Sequence, residues 1–223
     1  MMDAIKFMKA DFMKMKTQLL LIVLTVSVVL IFNGKMGTLW GAMYMVFMGL
    51  IFCSVPFSID IANGESFMKL LPAKPQQRVY GRFCFAVLFL ALCIAAISLS
   101  YMPGFLNGTI KAGNILPKVI MIFSAGLCMN TIQYVCSYFF EIKNQQWLSM
   151  IRMVPGFIFL FGGTYLVDSL AAMPQEMVET LGKGITYAMT HQWVPAVIFL
   201  LCSLIFTMVC AAICGKREAM KEA

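Results

Sequence analysis

Histidine is nearly absent from this sequence, charge is scarce, and the signatures of soluble catalysis are missing. The one histidine is His191. A single imidazole with no acid or nucleophile beside it is a poor general base, so an interfacial position near a membrane boundary is the plainer expectation. No G-x-x-x-x-G-K-[ST] run occurs, so the chain carries no P-loop of its own, and H-E-x-x-H and G-x-S-x-G are also missing. No C-x-x-C occurs either. The cysteines, Cys53, Cys84, Cys93, Cys128, Cys136, Cys202, Cys210 and Cys214, lie almost entirely within apolar runs and read as small hydrophobes. Cys210 and Cys214 stand one helical turn apart with no His or acid nearby, so no metal site is expected. Only 12% of residues are charged, where a soluble domain carries about a quarter. An enzyme is therefore not expected, nor is a cofactor held by this chain.

What fills the sequence instead is apolar. Hydrophobic residues make up 61% of the 223 positions, and mean hydropathy is +0.86. The bilayer is then the main solvent, and one membrane domain with short loops accounts for the length. A net charge of +7 would suggest nucleic acid in a soluble protein. Here the bases sit in short runs between apolar spans, which fits anionic headgroups and topology control, and nucleic-acid binding is not expected.

A span needs roughly 20 apolar residues. Six such stretches are expected, at 17–33, 38–60, 83–102, 115–140, 149–168 and 193–214. Before them, residues 1–16 alternate charge with apolar side chains. Ile5, Met8, Phe12 and Met15 follow helical spacing, the pattern of an amphipathic helix lying at the headgroup level. No small-x-small site follows the first apolar run, so that run is expected to stay as a helix. Residues 169–192 are too apolar for a plain loop and are broken by Pro174, Gly182 and Gly184; short outer helices are expected there.

With the N-terminus inside, 13 of the 17 basic residues fall on cytoplasmic segments. Only Lys35, Lys111, Lys118 and Lys183 fall outside. The positive-inside rule thus places both termini in the cytoplasm. The fold class expected is an all-α polytopic membrane protein with six transmembrane helices and an N-terminal interfacial helix.

Polar groups within spans are costly and merit individual attention. Asn130, Thr131 and Gln133 fall near the middle of the fourth span. They can line a substrate path or hydrogen-bond a neighbouring helix. Gly37 and Gly41 form a G-x-x-x-G at the outer start of the second span, which permits close helix approach. The 20 methionines and 19 phenylalanines permit an adaptable apolar surface, though ordinary lipid-facing filler has the same composition.

The segment 61–82 is the longest expected cytoplasmic loop. It reads Glu65-Ser66-Phe67-Met68-Lys69-Leu70-Leu71-Pro72-Ala73-Lys74, then Arg78-Val79-Tyr80-Gly81-Arg82-Phe83. This resembles the loop after the second span in small bacterial type-2 ABC transporter permeases, where an acid, a Leu-Pro turn, bases and a Gly-basic-aromatic triplet lead into the third span. Pro75 stands where a charged residue is more usual. The resemblance extends to the amphipathic N-terminal segment, the six spans, the cytoplasmic termini and the short outer helices.

The resemblance implies that this loop is a coupling helix element, with Glu65, Lys69, Leu71, Pro72, Lys74, Arg78 and Arg82 as its ATPase-coupling residues. It implies a separate ABC ATP-binding subunit holding ATP and Mg, and a second permease copy or paralogue completing a dimer. Located in the bacterial cytoplasmic membrane, such an exporter moves cargo by alternating access. An amphipathic peptide or a hydrophobic molecule suits the aromatic and Met-rich spans. An alternative is the substrate-capture membrane subunit of a vitamin importer, also small, basic and six-spanned, but without the polar Glu65–Arg82 loop.

Overall fold

A computed structural model describes residues 2–18, 20–24, 26–27, 38–62, 74–102, 106–107, 112–140, 150, 154 and 192–221. Among these the chain is helical, with no strand. The expected fifth span (149–168) and the outer helices (169–192) lie almost wholly outside the described residues, as does the second half of the first span apart from residues 26–27; its residues 20–24 and 26–27 are helical.

The first element, α1 (Met2–Lys14), ends in a short 3₁₀ turn at Met15–Gln18. Its covered face differs from the stripe expected from the sequence. Phe7, Asp11 and Met15 are buried, Met8 and Phe12 pack partly against the core, and Ile5 is 57% exposed. The cause is a protein partner, since α1 lies along the start of the third expected span.

The second span is one crossing built from two helices, α2 (Thr38–Cys53) and α3 (Val55–Ala62), broken at Ser54. Pro56 sets the break, because it has no N–H to give to the turn before it. Ser54 bridges the gap by giving both its N–H (3.2 Å) and its Oγ–H (2.6 Å) to the Ile51 carbonyl. The last carbonyl of α2, Cys53, accepts the Tyr134 hydroxyl at 2.7 Å.

Next comes α4 (Pro75–Ser100), which begins eight residues before the expected start of the third span. Pro75 at the first helical position has a fixed φ suited to a helix start. Lys74 caps it in extended conformation, its N–H reaching the Gln77 side chain at 3.3 Å. The last third of the expected loop is therefore helix, and Arg78 and Arg82 stand on its opening turns.

Two more helices lie among the described residues, α5 (Ala112–Phe139) and α6 (Trp193–Lys221). At about 1.5 Å per residue, α6 is some 44 Å long against a hydrocarbon thickness near 30 Å, so its Lys216–Lys221 end extends past the membrane core. The inner stripe of α6 is small, with Ala196, Ser203, Thr207, Ala211, Cys214 and Gly215 buried. Small residues let membrane helices approach closely, and α6 packs most extensively on α5.

The pairings fix direction. Tyr134 of α5 meets Cys53, and Tyr138 of α5 meets Phe57, so α2–α3 and α5 run parallel. Thr131 meets Thr207, and Phe139 meets Arg217, so α5 and α6 are parallel too. Phe52 meets Phe89 while Asp60 meets Arg82, so α4 opposes α2–α3. Four of the expected crossings thus have helices of sufficient length and apolarity.

Candidate functional site

Polar chemistry among the described residues gathers in two places. One is at the bundle end shared by the close of α3 and the start of α4; the other is within α5.

At the bundle end, four charges form a closed, alternating ring. Lys14 Nζ reaches Asp11 Oδ1 at 3.2 Å and Asp60 Oδ1 at 2.6 Å. Arg82 Nε reaches Asp11 Oδ2 at 3.5 Å, and its Nη2 donates to Asp60 Oδ2. Each carboxylate bridges both cations, and each cation bridges both carboxylates. The side chains are 1% (Asp11), 18% (Lys14), 15% (Asp60) and 10% (Arg82) exposed. Charges taken so far from water persist only when balanced and hydrogen-bonded.

Aromatic rings wall the cluster. The Arg82 guanidinium lies 4.2 Å from the Phe57 ring centroid. Phe57 and Phe83 each meet Tyr134 edge-on, at 5.0 and 5.3 Å, and each also contacts Tyr138. Gly81 sets the distance to α1. A Cβ added there would stand 2.6 Å from Phe7 Cβ and 2.7 Å from the Ala4 carbonyl oxygen, closer than side-chain carbons sit. The triplet Gly81-Arg82-Phe83 thus has a physical division of labour, in which glycine admits α1, arginine completes the ring and phenylalanine joins the aromatic wall.

The cluster closes the base of the loop. Asp60 lies three residues before the undescribed segment 63–73, and α4 starts just after it, so the Asp60–Arg82 pair ties the two flanks together. Among the expected coupling residues, Glu65, Lys69, Leu71 and Pro72 lie outside the described residues. Lys74 is exposed at the helix cap, Arg78 is half-buried on the first turns, and Arg82 is directed inward. Sequence reasoning missed Asp11 and Asp60 as partners of Arg82, and Lys14 as the second cation that binds both carboxylates. The available signal was the scarcity of acids (10 Asp and Glu in all), two of which flank expected spans close to basic residues.

The second place separates three residues that the sequence had grouped. Thr131 Oγ1 lies 2.8 Å from Thr207 Oγ1, and it also donates to the Leu127 carbonyl at 2.8 Å. It joins α5 to α6. Asn130 and Gln133 are each 1% exposed. Among the described residues, Asn130 Oδ1 and both polar atoms of the Gln133 carboxamide have no hydrogen-bond partner. Within a membrane domain such groups are expensive and point to function.

A third contact ties the helix ends. Arg217 of α6 donates to the Phe139 carbonyl at 3.0 Å and covers the Phe139 ring at 4.1 Å. A cation on the final carbonyls of a helix suits the negative end of its dipole.

No curated protein matches the chain, and no solved structure does. A family model described as ABC-2 family transporter protein matches residues 6–215, which includes most of α1 and runs to Gly215 in α6. The match takes in the charged ring, the aromatic wall and the α5–α6 interface, on an all-helical chain with spans long enough to cross a membrane and no P-loop of its own. The chain belongs to the ABC-2 transporter family, whose members are multi-pass membrane permeases working with a separate ABC ATP-binding partner.

Proposed function

We propose that this permease exports an amphipathic peptide or a hydrophobic molecule by alternating access, driven by ATP hydrolysis in its partner. Segment 61–82 is the coupling element and docks on the ATP-binding subunit. The observation that carries this reading is the convergence of α1, α3 and α4 on one charged ring at the base of that loop. A permease without a P-loop receives its work mechanically, and a loop whose flanks are tied together delivers a push to both adjoining helices. Two membrane subunits, identical or paralogous, form the pathway between them.

Helix directions support six spans with both termini in the cytoplasm. Parallel α5 and α6 are successive described helices, as a crossing between them requires. Lys14 sits at the bundle end where α3 finishes, whereas α2 starts at the other end, as a crossing between α1 and α2 requires. The exposed side of α1 then meets the inner headgroups of the bacterial cytoplasmic membrane. Asn130 and Gln133 lie on the substrate path, where their unpartnered amides meet polar groups of the cargo. The richness in Met and Phe supports an apolar or amphipathic cargo.

The test is co-purification with the ATP-binding subunit in detergent, followed by an assay of ATP hydrolysis. Wild type should give a stable complex. The Glu65→Ala, Arg78→Ala double variant should weaken the complex or detach hydrolysis from the permease. If no ATP-binding subunit associates with wild type under any condition, the reading fails.

A further inference from the structure

We propose that Asn130 and Gln133 form a binding site for the peptide group, which makes an uncharged peptide stretch, and not a plain hydrophobic molecule, the cargo of this permease. This rests on the reading of the two residues as part of the cargo path, and it decides between the two cargo classes.

Asn130 and Gln133 stand one turn apart on α5, on the same face as Gly126 and Ser137. Gly126 abuts α2, because a Cβ added there would run into the Val46 side chain. Tyr134 reaches the Cys53 carbonyl at 2.7 Å. The turns of α5 between these two contacts therefore run beside the last two turns of α2, up to the break at Ser54. Burial alone does not single the amides out. Ser124, Thr131, Ser137, Ser203 and Thr207 are buried as well, and each gives its hydroxyl to a carbonyl of its own helix at 2.8 Å. The two amides do not share this arrangement. Among the described residues, Asn130 Oδ1 and Gln133 Oε1 lack a donor, and Gln133 Nε2 lacks an acceptor.

These three atoms select a ligand by elimination. A cation would meet the two oxygens but oppose the Nε2–H groups. An anion would take Nε2–H and oppose the oxygens. Neither would find a counter-charge at this depth, since the described helices hold no charged residue at 38–59, 83–100, 119–139 or 193–215. A hydrocarbon would leave all three atoms unmet. A secondary amide carries one N–H and one C=O in a single neutral unit, the complement of the Gln133 carboxamide. An extended peptide repeats the same edge every two residues, about 6.8 Å. Side chains one helical turn apart have Cβ atoms about 5–6 Å apart. A second N–H of the same strand can thus reach Asn130 Oδ1.

Buried water also offers donors and acceptors, so the experiment has to separate the two. Binding is measured by fluorescence on the full chain in lipid nanodiscs, alone and with its ATP-binding subunit, against empty nanodiscs. Three probes are used. One is a dansylated hexapeptide of alternating leucine and phenylalanine with its C-terminus as a methyl ester. The second is the same peptide with every backbone N–H methylated. The third is pyrene, which has neither donor nor acceptor. The thermal midpoint of each variant reports its folding, and the comparison of the two peptides on wild type needs no variant.

Wild type should bind the peptide about tenfold or more tightly than its methylated form, the size of one or more lost hydrogen bonds. Gln133→Leu and Asn130→Leu should each weaken the peptide toward the methylated form, while binding of the methylated peptide and of pyrene stays as in wild type. The proposal is overturned if wild type binds the two peptides alike or binds neither. It is also overturned if both variants, folded, bind the peptide as wild type does, which would assign the amides to buried water. A chain that discriminates as expected yet associates with no ATP-binding subunit would uphold the peptide site and overturn the exporter reading alone.

Discussion

The charged ring at the end of the bundle and the amides within α5 are both buried and polar, yet they are treated oppositely. Four full charges at 11, 14, 60 and 82 are matched one against another and backed by aromatic faces. Three neutral amide atoms at 130 and 133 have no hydrogen-bond partner among the described residues. The more expensive groups are the ones fully satisfied. Pairing marks what holds helices together; on the proposed reading, the unpaired amides meet polar groups of the cargo. Thr131, one residue from Asn130, belongs with the paired class because it meets Thr207.

The contrast can be broken at three strengths. Arg82→Leu removes one corner of the ring and leaves Asp11 and Asp60 facing each other's neighbours with a net negative charge. Breaking a buried pair from one side costs about 3–5 kcal/mol, so the thermal midpoint in detergent should collapse, and the variant should be poorly recovered from membranes. Recovery equal to wild type would mean that the ring is wetter than its burial implies. Thr207→Val deletes a single interhelical hydroxyl and should cost about 1 kcal/mol, seen as a small fall in the same midpoint. A loss comparable to that of Arg82→Leu would show the α5–α6 seam to be as important as the ring. Gln133→Leu should leave the midpoint unchanged or slightly raised, because it replaces unpaired amide atoms with apolar surface. Its effect should appear as a changed rate or range of cargo transported by the assembled complex. A clear drop in midpoint would mean that Gln133 is paired in the membrane, and the distinction between the two regions would fall.

Much of the bundle was legible because membrane spans announce themselves by length. The core of α4, α5 and α6 coincides with three of the expected runs, since nothing but an apolar stretch can lie there. The ends were less legible. Pro75 starts α4 early, and the polar character of Arg78 and Arg82 hid the fact that they are helical. The face of α1 was misread in detail for a related reason. Hydropathy pointed to the stripe Ile5, Met8, Phe12 and Met15, with Asp11 outside it. The structure turns Asp11 inward because Lys14 and Arg82 offset its charge, and turns Phe7 inward because Gly81 leaves room. Those partners lie 3 to 71 residues away, and no local pattern reports them. The Gly81-Arg82-Phe83 triplet was noticed only through its resemblance to a family pattern, and its inward role needed three dimensions. Asn130, Thr131 and Gln133 read as one cluster because they are adjacent in sequence. Each residue turns about 100° around the helix axis, so neighbours along the chain can face different surroundings.

The break at Ser54 has a consequence for how the second span answers force. A continuous helix conveys twist along its length, whereas at Ser54 the ladder tightens to the Ile51 carbonyl, which takes both the Ser54 N–H and its hydroxyl, and Pro56 adds no donor. Rotation imposed on α3 should therefore be damped at this joint, while the Tyr134 clasp on Cys53 keeps the end of α2 tied to α5.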